Sequence, residues 1–131
     1  MSKRGEADLK IFIIIAAINA AMSVALGAFG AHGLEGKISA KSIEVWNTAV
    51  QYQMFHAGGL LAIGLLWDRL SSHQLLNWSG WLMLVGIILF SGSLYVLSVA
   101  SIGKLGIITP FGGVAFIASW ILMIVAVYKY A

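Results

Sequence analysis

The stretch IFIIIAAINAAMSVALGAFGAHGL, residues 11–34, contains no Asp, Glu, Lys or Arg. About 20 predominantly apolar residues carry a helix across the ~30 Å hydrocarbon layer of a bilayer, and this run is longer than that. Three further windows share its character: Val45 to Trp67, Leu70 to Gly103, and Leu105 to Tyr128. Each predicts a transmembrane helix. The whole 131-residue chain is 60% hydrophobic and 10% charged, where a soluble domain carries about 25% charged residues. A soluble domain of this size has no way to hide so much apolar surface, whereas a bilayer is itself the apolar solvent.

The polar punctuation divides the chain into helices over about 9–31, 40–67, 76–100 and 109–128, in a single transmembrane domain spanning residues 1–131. Met1 to Lys10 reads as a polar leader. The apolar run behind it exceeds what a signal peptide needs, so the first helix is expected to be retained. Ser39 is placed to cap the second helix, and Thr109-Pro110 reads as a cap followed by proline in the first turn of the fourth. Trp78, Trp81, Tyr128 and Tyr130 suit the interfacial aromatic belt. Short connections make sequential helices antiparallel neighbours. The expected fold is all-α, an integral membrane four-helix antiparallel bundle.

Lys3, Arg4, Lys10, Arg69 and Lys129 fall on the N-terminal side of such a bundle, and Lys37, Lys41 and Lys104 on the other. The positive-inside rule then puts both termini in the cytoplasm and the protein in the cell (inner) membrane, as a multi-pass protein. Its net charge of +3 lies in flanks and loops. This basicity marks topology and gives no nucleic-acid surface, which would need a basic patch on a soluble domain.

Glycine occupies positions 27, 30, 33 and 36. In a helix interior each costs roughly 0.5–1 kcal/mol relative to Ala, so a reason is needed. Gly27 and Gly30 fall inside the first helix, where they allow another backbone to come close. Gly33 and Gly36 fall past its expected end, where they turn the chain. His32, between them, marks the outer surface.

Polar groups recur at one depth. Asn19 and Ser23 lie one turn apart in the first helix, Gln53 and His56 in the second, Ser91 and Ser93 in the third, and Ser119 in the fourth. Such groups usually face the bundle and hydrogen-bond across helices. An ionisable side chain at that depth is also a functional candidate, which singles out His56. The candidate ligand or polar layer is therefore His56, Gln53, Asn19, Ser23 and Ser91. His32 and His56 differ in depth by roughly 15 Å, and no carboxylate lies within a span. No metal site and no cofactor is expected. No G-x-S-x-G, P-loop, H-E-x-x-H or carboxylate pair is present, and the expectation is that the chain is not an enzyme.

Four motifs occur in order: Leu26-Gly-Ala-Phe-Gly-Ala-His32, Trp46-x-Thr-Ala-Val-x-Tyr52-Gln53-x-x-His56, Phe90-Ser-Gly-Ser-Leu-Tyr95 and Thr109-Pro-x-Gly112-Gly113. This set resembles the domain of unknown function 423 family, small bacterial inner-membrane proteins with relatives among small eukaryotic transmembrane proteins. The resemblance implies a four-helix integral membrane protein and carries over no catalytic residues. Three functions remain open on the residues. One is a non-enzymatic bundle that self-associates or serves a larger membrane complex. Another is a small-molecule or ion carrier using the polar layer around His56. The third is a protein that binds haem, quinone or copper.

Overall fold

A computed structural model describes residues 2–131. It contains four long helices: α1, Lys3–Leu34; α2, Ala40–Leu66; α3, Gln74–Ala100; and α4, Thr109–Tyr130. The helices run up and down in sequence, as side-chain contacts at both ends of the bundle require. At one end, Phe12 of α1 packs against Trp67 after α2 and Trp81 of α3, with ring centroids 5.7 and 5.4 Å apart. The Ser71 backbone N–H there donates to the Tyr130 carbonyl at 2.9 Å, tying the end of α4 to the α2–α3 turn. At the other end, the Trp46 indole N–H donates to the Leu26 carbonyl at 2.9 Å. Ser93 and Thr109 share a hydroxyl–hydroxyl bond of 2.6 Å there, joining α3 to α4.

The helix limits differ from the sequence reading in places that have local causes. α1 begins at Lys3, because the Ser2 hydroxyl accepts from the Gly5 N–H at 3.1 Å and Glu6 occupies the first turn. Both features favour a helix N-terminus, so residues 3–10 of the polar leader are the first two turns of α1, and Met1 lies outside the described residues. Its last turn, Gly30–Leu34, is a π-helical turn. Gly33 therefore lies inside the helix and not past its end. Gly36, with φ of +80°, makes the reversal into the loop, a conformation that costs glycine little. Ser39 caps α2, accepting from the Ser42 N–H at 3.1 Å. Thr109 is not a cap. Its hydroxyl meets Ser93 instead, and Pro110 sits in the first turn of α4.

α3 has a second π-helical segment, Ile87–Gly92, between Gln74–Gly86 and Ser93–Ala100. It ends where Ser101 adopts a left-handed conformation, φ 53°.

Three of the helices are long and apolar enough to cross a membrane; α2 is not among them. Four spans were expected from the charge-free windows. α2 is as long as α3 but carries Asn47, Gln51, Gln53 and His56. It is also the most enclosed helix, with ten buried residues against five in the α-helical part of α1 and five in α4. Gln53 and His56 are buried among the neighbouring helices, whereas Asn47 and Gln51 are exposed. The core is apolar around Phe12, Leu60, Ile63, Leu76 and Met83, all with no exposed surface. Phe111, Val114, Ile117, Ile121 and Ile124 form an exposed apolar stripe along α4, as a lipid-facing surface should.

Candidate functional site

Two separate polar clusters are built on α2. In the first, the Gln53 side-chain N–H donates to Asn19 Oδ1 at 3.0 Å, and Gln53 Oε1 accepts from the Tyr95 hydroxyl at 2.7 Å. One buried amide thus ties α1, α2 and α3 together. Asn19 is further held by donating to the Ile15 carbonyl at 2.9 Å, and Ser23 by donating to the Asn19 carbonyl at 2.8 Å. Ser91, in the π segment of α3, donates to the Ala49 carbonyl at 2.8 Å.

The second cluster is built on His56. Its Nδ1 lies 2.7 Å from the Tyr52 carbonyl, and its Nε2 lies 3.0 Å from the Trp120 indole N–H. A carbonyl only accepts and an indole only donates. The imidazole is therefore the neutral Nδ1–H tautomer, donating to Tyr52 and accepting from Trp120. Its ring lies flat on Phe116, centroids 3.5 Å apart and 9° from parallel. Both nitrogens are engaged, so ligation of a metal or haem through Nε2 requires Trp120 to leave.

Expected neighbours are thus only partly brought together. Asn19 and Gln53 meet, Ser23 locks Asn19, and Ser91 bonds a backbone carbonyl on the same face of α2. His56 does not join them: the single layer around His56 is two clusters. Gln53 and His56 are three residues apart, about 60° around the helix axis, which is enough to aim one toward α1 and α3 and the other toward α4. His32 is exposed at the end of α1. Gly27 lies 3.4 Å from Val50 as measured to an added Cβ, and Gly30 accommodates the Trp46 ring. Ser119 donates within its own helix, and its carbonyl accepts from Ser79 of α3 at 2.6 Å.

Tyr95 and Trp120 are hydrogen-bond partners of the candidate residues that the sequence reading missed. Both count as apolar in a hydropathy window, and only their polar tips matter here. The signal for Tyr95 was its place at the end of the Phe90–Tyr95 motif. Trp120 had none.

Beside His56 a groove of about 630 Å³ opens between α2, α3 and α4, walled by Tyr52, Phe55, Phe90, Phe116 and Trp120. Gln51 stands at its rim. Gln51 and Asn47, one turn apart on the outer crest of α2, are exposed, and neither side chain bonds to another described residue. Among the described residues, the Trp67 indole N–H is the one fully buried side-chain donor without a partner.

The family profile described as "Protein of unknown function (DUF423)" matches residues 26–113. That span runs from the start of the first glycine motif to the end of the last. The chain is 60% identical to the UPF0382 membrane protein YwdK of Bacillus subtilis over 122 residues, 93% of this chain and 99% of the relative. It is 51% identical to the UPF0382 membrane protein SSP2132 of Staphylococcus saprophyticus, over 92% of this chain and 99% of that one. It is 53% identical to SAB0533 of Staphylococcus aureus, over 94% and 99%. No solved structure matches significantly.

Proposed function

The chain belongs to the DUF423 family, and from that premise we propose a non-enzymatic membrane protein that works by lateral association within the bilayer. It associates with itself or serves a larger membrane complex. The observation that carries this reading is a contrast in polar satisfaction. Asn19, Gln53, Tyr95 and His56, inside the bundle, all have partners within it. Asn47 and Gln51, on the outside, have none. Hydrocarbon offers an amide no hydrogen bond, so a second protein surface is the natural partner. The tight internal pairing also weighs against a carrier, whose polar layer must be free to hydrate and release.

The location that goes with this reading is the cell inner membrane, crossed several times with both termini cytoplasmic. Five Lys and Arg on the N-terminal side against three on the other support it. The chain contains no cysteine, so single-cysteine variants report cleanly. Lys37→Cys and Lys104→Cys should react with an impermeant maleimide added to spheroplasts or protoplasts, and Lys129→Cys should react only after lysis. The association is tested by mild solubilisation of native membranes followed by native electrophoresis. Migration as a multimer or within a larger complex is expected, and a monodisperse monomer would count against the reading.

The groove favours a second reading, that of a site for a flat, lipid-soluble ring such as a quinone. Five aromatic walls open to the bilayer suit stacking, and the Tyr52 hydroxyl beside them bonds to no described residue. Solvent extraction of protein purified from membranes should then yield a ring compound that Phe116→Leu loses.

A further inference from the structure

α2 exposes a regular seam. Asn47, Gln51, Met54, Gly58, Leu61 and Leu65 are all exposed, and they recur at alternating spacings of four and three. That is the heptad pattern by which two helices pack along their length. Its members are unlike a lipid-facing stripe. Two are amides without partners, and Gln51 lies only ~3 Å along the axis from the middle of α2. One is a glycine with no internal reason to be there. A Cβ added at Gly58 meets nothing within 4 Å, whereas at Gly59 and Gly64 it runs into Met83 and Ile13. Gly59 and Gly64 make room for the chain's own side chains. Gly58 makes room for something outside it.

We infer that this seam receives the α2 helix of a second copy of the same chain, forming a two-fold homodimer. The inference rests on the lateral-association reading above and names its partner. Identical chains insert with the same orientation, so a two-fold axis between them must run along the membrane normal. The two α2 helices are then parallel, and each seam residue faces its own counterpart at equal depth. Carboxamides suit that arrangement, because each carries donors and an acceptor. Gln51 satisfies Gln51 of the partner subunit reciprocally, and Asn47 does the same one turn away. Gly58, two turns further, lets the backbones approach closely. Glu44 lies beyond the amide end of the seam, in the first turns of α2, where headgroups and water solvate its charge. A seam of this kind on the least apolar of the four helices also gives α2 a protein neighbour on the side its own bundle leaves uncovered.

Oxidative cross-linking in membrane vesicles tests the inference on the full chain, which has no native cysteine. Gln51→Cys and Gly58→Cys should each form a disulfide-linked dimer at twice the 14.0 kDa chain mass, while Ile121→Cys, on the exposed face of α4, should not. Gly58→Leu, which the monomer accommodates, should cut the Asn47→Cys cross-link at least tenfold. Gln51→Leu should weaken dimerisation about eightfold, the effect of the two typical intramembrane hydrogen bonds that a reciprocal pair makes. Cross-linking of Ile121→Cys as strong as that at the seam overturns the assignment of the face. A heavier mixed product at Gln51→Cys with no homodimer overturns the second copy but leaves lateral association standing. Monomer throughout, with no product at any position and no larger species on native gels, overturns both.

Discussion

Replacing Gln53 with leucine tests whether the buried amide holds three helices together. Gln53 is 2% exposed, and leucine is close to it in size, so the main change is the loss of the bonds to Asn19 and Tyr95. Intramembrane hydrogen bonds average ~0.6 kcal/mol and reach about 1.7. Two of them set the range at about 1.2–3.4 kcal/mol, with the upper part reached if Asn19 Oδ1 and the Tyr95 hydroxyl find no substitute. Tyr95→Phe removes only the second bond and should cost about 0.6–1.7 kcal/mol. The double variant should then cost less than the sum of the two by roughly the worth of the shared bond. Reversible unfolding in mixed micelles, followed by circular dichroism against detergent composition, supplies all four corners of the cycle. If Gln53→Leu lowers stability by less than about 0.5 kcal/mol, or if the two changes add within about 0.3, the amide is not the tie described here.

Three other perturbations follow from close contacts. Gly112→Val puts a side chain onto the backbone N and Cα of Phe90, so the expected loss is about 1–3 kcal/mol. Phe90→Ala should not rescue it, because the obstacle is main chain; unfolding midpoints of the single and double variants decide this. The atoms nearest a Cβ at Gly30 all belong to the Trp46 side chain, and a Trp46→Ala background should therefore recover part of the loss from Gly30→Leu in the same assay. His56→Phe preserves a ring on Phe116 but leaves the Trp120 N–H without an acceptor, at a cost of about 1–3 kcal/mol. Adding Trp120→Phe should return part of that, and a double variant no more stable than His56→Phe refutes the bond.

The helices were legible because charge is excluded from long windows, and that exclusion is a property of local sequence. The start of α1 was not, because Lys3, Arg4, Glu6, Asp8 and Lys10 look like a soluble leader, while Lys3, Arg4, Glu6 and Lys10 are good helix formers behind the Ser2 cap. The π segments were hidden for a different reason. The second lies where the backbone of Phe90 sits against Gly112, a contact between helices that local sequence does not encode. Of the site, depth was readable and direction was not. Counting residues put Asn19, Gln53, His56 and Ser91 at comparable heights, but only packing decides that Gln53 turns to Tyr95 and His56 to Trp120.

The two ends of the bundle are held in different ways, and this bears on where specificity resides. Around Phe12, Trp67, Leu76 and Trp81 the contacts are mainly apolar and aromatic, with Gly80 making room for the Phe12 ring, and the apolar part of such packing accepts volume-conserving exchange. At the opposite end Trp46 is fixed on four sides: by the Leu26 carbonyl, by Gly30, by Phe29, and by Tyr95 at 4.7 Å edge-on. Ser93 is fixed to Thr109, and Phe90 to Gly112. The Trp46–Leu26 and Ser93–Thr109 contacts need hydrogen-bonding side chains, and those at Gly30 and Gly112 need the absence of a Cβ. Both π segments lie in or next to this end, and such turns often mark functional positions. A mutational scan should therefore find substitution costs concentrated between Leu26 and Gly113 at the named contacts, with Leu76→Met tolerated. Equal sensitivity at both ends would mean that the polar and glycine contacts carry no more specificity than the apolar packing.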